Sequence, residues 1–368
     1  MNALRTTERL TTAPETTVRT RVSWGADLIT ILLGLWLIAG VFADGFAHNN
    51  LRDTLDSFFT PWHAVLYSGF TVTALWISWL VAQQARAGLR GLNAIPIGYD
   101  WGALGVIVFG LGGVGDLIWH SVFGIEVGTS ALLSPTHLML LAGGVMILTS
   151  PVRSAWCSSM NVKPGLLEFL PALLSTFAAF SFVTFMHMYN WGLTSLPTSK
   201  YFMDRISYGS DHFIEYLHRE SAGGILFSNV ILVGVALLLL RRWQTPPGTF
   251  TLIYGVNTTM MSFMLGGSTS GFVAPVIAGF GAGIIADILV LVLKPNPNRV
   301  FEWRLFAVLV PLATWSLHFF TVALFSDGGI GLNREFWTGI IVMSALSGLV
   351  LSVLAVPGKI SEPAKLEV

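Results

Sequence analysis

Long apolar stretches, each near 20 residues and separated by short polar segments, set the pattern of this chain. About 20 apolar residues are what an α-helix needs to cross the ~30 Å hydrocarbon core of a bilayer. We expect ten such spans, at 25–45, 63–83, 100–121, 132–150, 167–187, 222–240, 250–267, 272–293, 303–325 and 336–356. Several carry Gly or Pro in their interior, which a packed helical bundle tolerates. Pro96, Pro151, Pro164, the pair Pro246-Pro247, and Pro295 with Pro297 mark turns between them. The expected fold is all-α: a polytopic transmembrane bundle of about ten helices with the lipid bilayer as its surroundings.

Composition agrees with that pattern. Of 368 residues 53% are hydrophobic and 11% charged, against about 25% charged in a soluble domain. Such a chain has too little polar surface to face water on all sides. The formal net charge of zero points to no nucleic acid and to no polybasic surface anchor. A single cysteine, Cys157, excludes an intrachain disulfide and a cysteine-cluster metal site.

Lysine and arginine orient the spans. With the N-terminus inside, the inner segments hold 15 of the 20 cations, and Arg52, Lys200, Arg205, Arg219 and Arg334 are the 5 outside. Both termini are therefore expected in the cytoplasm. Residues 1–22, rich in Thr and Arg without an apolar core, read as a cytosolic tail and not a cleaved signal; residues 359–368 read as another. Between them we expect a four-helix unit at 23–150 and a six-helix unit at 151–358. The outer loop 188–221 of the second unit should fold over the outer face.

On this topology all eight histidines fall on outer loops or the outer third of a span: His48, His63, His120, His137, His187, His212, His218 and His318. Spacing gives four of them a reason. Asp44 and His48 lie four apart, on one helix face. The next span opens Phe59-Thr60-Pro61-Trp62-His63, with threonine as cap and proline in the first turn. Asp44, His48 and His63 can thus converge at the outer ends of the first two spans. Asp116 and His120 end the third span, and Ser134-Pro135-Thr136-His137 opens the fourth. The offset is 72 residues for the Asp and the first His and 74 for the second His. This pattern predicts a duplicated helical hairpin with a site in each copy. Neutral imidazole suits copper, zinc, iron or nickel, and a carboxylate compensates charge, so the expectation is one or two outer-side metal sites.

The stretch from Asp44 through His48, Arg52-Asp53-Thr54, Phe59-Thr60-Pro61-Trp62-His63 and Tyr67 resembles the C subunit of particulate methane and ammonia monooxygenases. The resemblance implies copper held by Asp44, His48 and His63, facing the outer side of the membrane. A second family set, Asn-x3-His plus His, is similar to Asp116, His120 and His137, with Asp in place of Asn. The likeness covers about 44–140. The family enzymes work with two other subunits, and the likeness implies the ligands without carrying over the oxygenase activity. If the centre is an enzyme's, oxidation of a small apolar substrate is expected, with other membrane subunits or further copies of this chain as candidate partners. Composition leaves iron and zinc open beside copper.

Other residues have plainer readings. His187 and His318 are candidates for further ligands, for partners of a ligand, or for a proton relay. Glu126 is a candidate outer-face partner of a ligand, and Asp53 and Asp56 are loop and cap residues. His212 and His218, with Asp211 and Glu215, suit a solvated interfacial helix. Asp287 suits a hydrogen-bonded packing role. Gly110, Gly112, Gly113 and Gly115 suit helix packing, and Met260, Met261 and Met264 suit bundle filling. Three other functions remain open: a transporter using the same residues as a transit site, a metal-handling protein that stores and hands over the ion at them, and a haem-bearing electron carrier.

Overall fold

A computed structural model describes residues 19–51, 58–124, 128–194, 198–207, 210–265 and 269–357. Asp53, Asp56, Glu126 and most of both expected tails lie outside the described residues. Among the described residues thirteen α-helices run in chain order: α1 Trp24–Asn50, α2 Pro61–Arg86, α3 Asp100–Phe123, α4 Thr129–Leu132, α5 Pro135–Leu148, α6 Ser150–Trp156, α7 Leu166–Met186, α8 Lys200–Ser207, α9 Asp211–Arg242, α10 Asn257–Met264, α11 Thr269–Leu293, α12 Val300–Phe325 and α13 Arg334–Ala355. Among the described residues nine helices are long and apolar enough to cross a membrane, with α5 and α6 counted as one span, Pro135–Trp156. The chain is a multi-pass helical membrane protein.

α3 shows why these segments pack as they do. Gly102, Gly105, Phe109, Gly112, Asp116 and His120 recur at helical spacing and are buried. Trp101, Leu104, Ile107, Leu111, Val114, Ile118 and Val122 lie on the other side and are exposed. Small and polar residues face the bundle while large apolar ones face outward, the reverse of a soluble helix.

α1 and α2 pair as an antiparallel hairpin, as do α3 and α5, and α7 packs against α1 and α5 to join them. Glycines set the closeness of each pair. Gly40 meets the backbone of Leu66, and Gly69 meets that of Leu37; Gly112 meets Leu140, and Gly143 meets Phe109. The first set maps onto the second by the same offsets, 72 residues in the first helix and 74 in the second, that relate the Asp and His positions. α2 and α3 touch far less.

Three boundaries differ from expectation. The seventh expected span, 250–267, is a π turn of six residues, Thr251–Val256, followed by the eight residues of α10. At 1.5 Å per residue this covers roughly 21 Å, so it is too short to span the core as a regular helix. The Asp287 carboxylate explains its start, because it accepts from the N–H groups of Phe250 and Thr251, both at 3.0 Å, and from the Thr251 hydroxyl at 2.7 Å. The expected outer loop 188–221 ends early, since α9 is continuous from Asp211 to Arg242. No proline interrupts that run, and its Gly223-Gly224 pair is accommodated within the helix. The fourth span likewise continues through α6 to Trp156, past the expected boundary at 150.

Opposite the histidines, a buried network ties the hairpins together. The Tyr99 hydroxyl donates to Asp27 Oδ1 at 2.8 Å, and the Ser154 hydroxyl donates to Asp27 Oδ2 at 2.9 Å. Trp76 Nε1 donates to Thr30 Oγ1, which lies 2.9 Å from the Tyr99 oxygen. Burial and the adjacent Asp27 carboxylate push the Tyr99 hydroxyl well above its usual range, so it remains a donor.

Candidate metal centre

Local sequence builds each cluster in the same way. Thr60 caps α2 and accepts from the His63 N–H at 3.1 Å; Ser134 caps α5 and accepts from the His137 N–H at 3.3 Å. Pro61 and Pro135 occupy the first turn, where a missing N–H costs nothing. Both histidines therefore stand in the first turn of their helix, beside the last turns of the partner helix. There Asp44 and His48, or Asp116 and His120, are one turn apart.

The result is two compact groups. In each, one ligand atom from every side chain lies within 4.8 Å of the others: Asp44 with His48 and His63, and Asp116 with His120 and His137. His63 Nε2 is 3.4 Å from Asp44 Oδ1, and His48 Nε2 is 3.7 Å from Asp44 Oδ2. His120 Nε2 and His137 Nε2 both face Asp116 Oδ1, at 3.4 and 3.3 Å. Bonds of about 2.0–2.2 Å to one ion set its ligand atoms roughly 3–3.5 Å apart, so either group needs only slight contraction to take a metal.

The tautomers sharpen this fit. His63 Nδ1 lies 2.6 Å from the Phe58 carbonyl oxygen, and His120 Nδ1 lies 3.1 Å from that of Gly124. A carbonyl only accepts, so each Nδ1 carries the proton and, in a neutral ring, Nε2 presents a lone pair. That lone pair points at a carboxylate oxygen. Asp44 Oδ1 and His120 Nε2 are buried without a hydrogen bond, which is costly unless something between the acceptors satisfies them. One protonated ring per group would balance each carboxylate as an ion pair, whereas all four would leave a net positive charge in a largely apolar setting. A metal cation in each group would satisfy the same oxygens with both imidazoles neutral.

The groups adjoin one another. The rings of His63 and His120 are 6.3 Å apart, and Phe58 packs against both, at 4.8 and 6.1 Å. All six side chains line one cavity of about 260 Å³, whose other walls include Leu66, Phe109, Leu140, Phe182 and Phe185. It is an apolar chamber with the carboxylates and imidazoles on its wall.

The remaining candidates go elsewhere. His187 ends α7 with Nδ1 2.8 Å from the Val183 carbonyl and its ring 4.9 Å from Phe227, apart from both clusters. His318 is fully buried between Trp315 and Phe319, with Nε2 3.3 Å from Thr198 Oγ1. Among the described residues neither joins a ligand group. His212 is exposed, as a solvated helix requires. His218 instead is buried against Phe336, 4.8 Å away, because α13 covers that face of α9. Asp287 is a hydrogen-bonded packing residue as expected, and Met261 and Met264 fill the core.

Two residues around Asp116 escape a sequence reading of ligands. The Tyr67 hydroxyl donates to Asp116 Oδ2 at 3.0 Å, and that of Thr136 donates to Oδ1 at 3.3 Å. Tyr67 stands four residues after His63, so helical spacing already places it on the same face. Nothing in the sequence indicates that it reaches across to α3.

No protein-family model, no curated protein and no solved structure matches this chain.

Proposed function

We propose that this protein is a membrane metalloprotein that holds one transition-metal ion in each Asp/His/His group and oxidises a small apolar substrate in the adjoining chamber. The observation that carries the reading is the set of imidazole lone pairs turned toward carboxylate oxygens at 3.4 Å. Copper is the metal we favour, on the resemblance to the monooxygenase C subunit; iron and zinc suit the same donors. A redox metal there would supply the one-electron chemistry that dioxygen requires.

The protein's own contributions follow from its side chains. Asp44 and Asp116 offset the charge of the ions and keep the centre neutral enough for an apolar surrounding. The Phe58 and Gly124 carbonyls hold the rings of His63 and His120 so that Nε2 faces inward. Phe109, Phe182 and Phe185 exclude water and favour a lipid-soluble substrate.

The hairpins α1–α2 and α3–α5 are in this reading two copies of one ancestral unit, on the strength of offsets shared by caps, glycines and ligands. The cation bias of the connecting segments puts the centre on the extracytoplasmic side and both termini in the cytoplasm. Further membrane subunits, or further copies of this chain, complete the assembly. A transit role has less support: among the described residues the two Asp/His groups share one chamber, and no third such group continues from them.

Elemental analysis of purified protein tests the reading. Two ions per chain are expected, with His48→Ala and His120→Ala each losing one while the bundle stays folded. Unchanged metal content in both variants would end the ligand assignment.

A further inference from the structure

The two clusters differ in how their carboxylates are held. In the second, both imidazoles face one oxygen, Asp116 Oδ1, which also accepts from the Thr136 hydroxyl at 3.3 Å, and the other oxygen accepts from the Tyr67 hydroxyl at 3.0 Å. In the first, the imidazoles face different oxygens of Asp44, and Oδ1 is buried without a hydrogen bond. The position related to Tyr67 by the 74-residue offset is Leu141, which has nothing to donate. Tyr67 belongs to the first hairpin and Asp116 to the second, so the bond crosses the sparse α2–α3 contact where the clusters meet.

We infer that Tyr67 is a positioning residue that restricts Asp116 to one coordinating oxygen, making the second site preorganised and tight, while Asp44 remains free to offer both oxygens at a looser, exchangeable site. This rests on the metal-binding reading above. Of the two oxygens, the one with the shorter hydrogen bond, turned away from both imidazoles, is the poorer ligand, and the Tyr67 bond also removes rotational freedom that binding would otherwise have to restrict. Asp116 is 2% exposed and Asp44 14%, which matches a closed site beside a more open one. The chemistry selects a single first-row transition ion with two nitrogens and one oxygen at the second site, leaving positions for water or substrate.

The test uses the full chain in detergent with Asp44→Ala and His48→Ala, which dismantle the first site so that titration reports the second. With Cu(II) competing against a chelator of known affinity, adding Tyr67→Phe is expected to weaken binding about tenfold at unchanged stoichiometry. Infrared and X-ray absorption spectra should move from one coordinating carboxylate oxygen to two. Two proteins need no change at Tyr67: Asp44→Ala with His48→Ala should show a one-oxygen carboxylate, and Asp116→Ala with His120→Ala, which leaves the first site, a two-oxygen one. A Tyr67→Phe isotherm and spectrum identical to the parent, or a two-oxygen carboxylate at the intact second site, would overturn the inference and leave metal binding standing. No uptake of copper, iron or zinc by the wild-type protein would overturn the metal reading, and this inference with it.

Discussion

The two hairpins of this bundle use the same means to place their acid and imidazole groups, and they end with different sites. Thr60-Pro61 and Ser134-Pro135 start the second helix of each, and Gly40 and Gly112 let the paired backbones approach. An Asp and a His one turn apart complete each set. Yet Asp116 accepts two side-chain hydrogen bonds, from Tyr67 and Thr136, while Asp44 Oδ1 accepts none. The corresponding positions are Leu141 and Trp62. Backbone geometry sets where ligands converge, but neighbouring helices set how firmly each is held. The more deeply buried carboxylate is the one with more donors, as the cost of desolvation requires.

Removing each carboxylate should expose that difference most strongly. Asp116→Ala strands two buried hydroxyls and two imidazoles, and we expect a loss of about 3 kcal/mol in stability as well as one bound ion. Asp44→Ala should also lose one ion but cost only about 1 kcal/mol. Thermal unfolding in detergent with parallel metal analysis reads both; equal destabilisation would erase the distinction between the sites.

The glycine contacts offer a smaller effect with the opposite bias. A methyl at Gly40 would fall on the Leu66 backbone, which cannot yield, whereas Gly112 has somewhat more room against Leu140 and Met139. Gly40→Ala should cost about 2 kcal/mol by overpacking, and Gly112→Ala less. Melting of the two variants side by side checks the order, and a larger loss at Gly112 would contradict the packing described for α1 and α2.

The caps separate fold from ligand orientation. Thr60→Ala and Ser134→Ala should each cost about 1 kcal/mol. Ser134 Oγ also lies 2.7 Å from His137 Nδ1, whereas His63 Nδ1 is held by the Phe58 carbonyl. Ser134→Ala is therefore expected to weaken metal binding about tenfold and Thr60→Ala to leave it nearly unchanged, as chelator competition would report. Equal effects would mean that Ser134 does not orient its histidine.

Much of this was legible in the chain before any coordinates. Asp44 with His48, and Asp116 with His120, are local pairs whose meeting follows from helical periodicity alone. His63 and His137 follow Thr-Pro and Ser-Pro-Thr starts that place them at helix ends. Azimuth was not legible. His187 and His318 share the expected depth of the clusters, but depth along a bundle says nothing about azimuth, and their rings pack against Phe227 and against Trp315 and Phe319, outside both groups. The short segment at 251–264 depends on Asp287, more than thirty residues away, and hydropathy does not register a carboxylate that caps another helix.

By itself, the sequence determined that the protein is a bundle of membrane helices and that two hairpins each bring a carboxylate and two imidazoles to one end. Both follow from local rules: the apolar length needed to cross lipid, and the 3.6-residue turn that stacks positions four apart. Helix packing sets the rest: the clusters adjoin across His63 and His120, Tyr67 reaches from one hairpin to the acid of the other, and Asp27 and Tyr99 tie the hairpins at the far end. Those pairings join side chains up to 72 residues apart, and packing between helices selects them from many that the local pattern would equally permit.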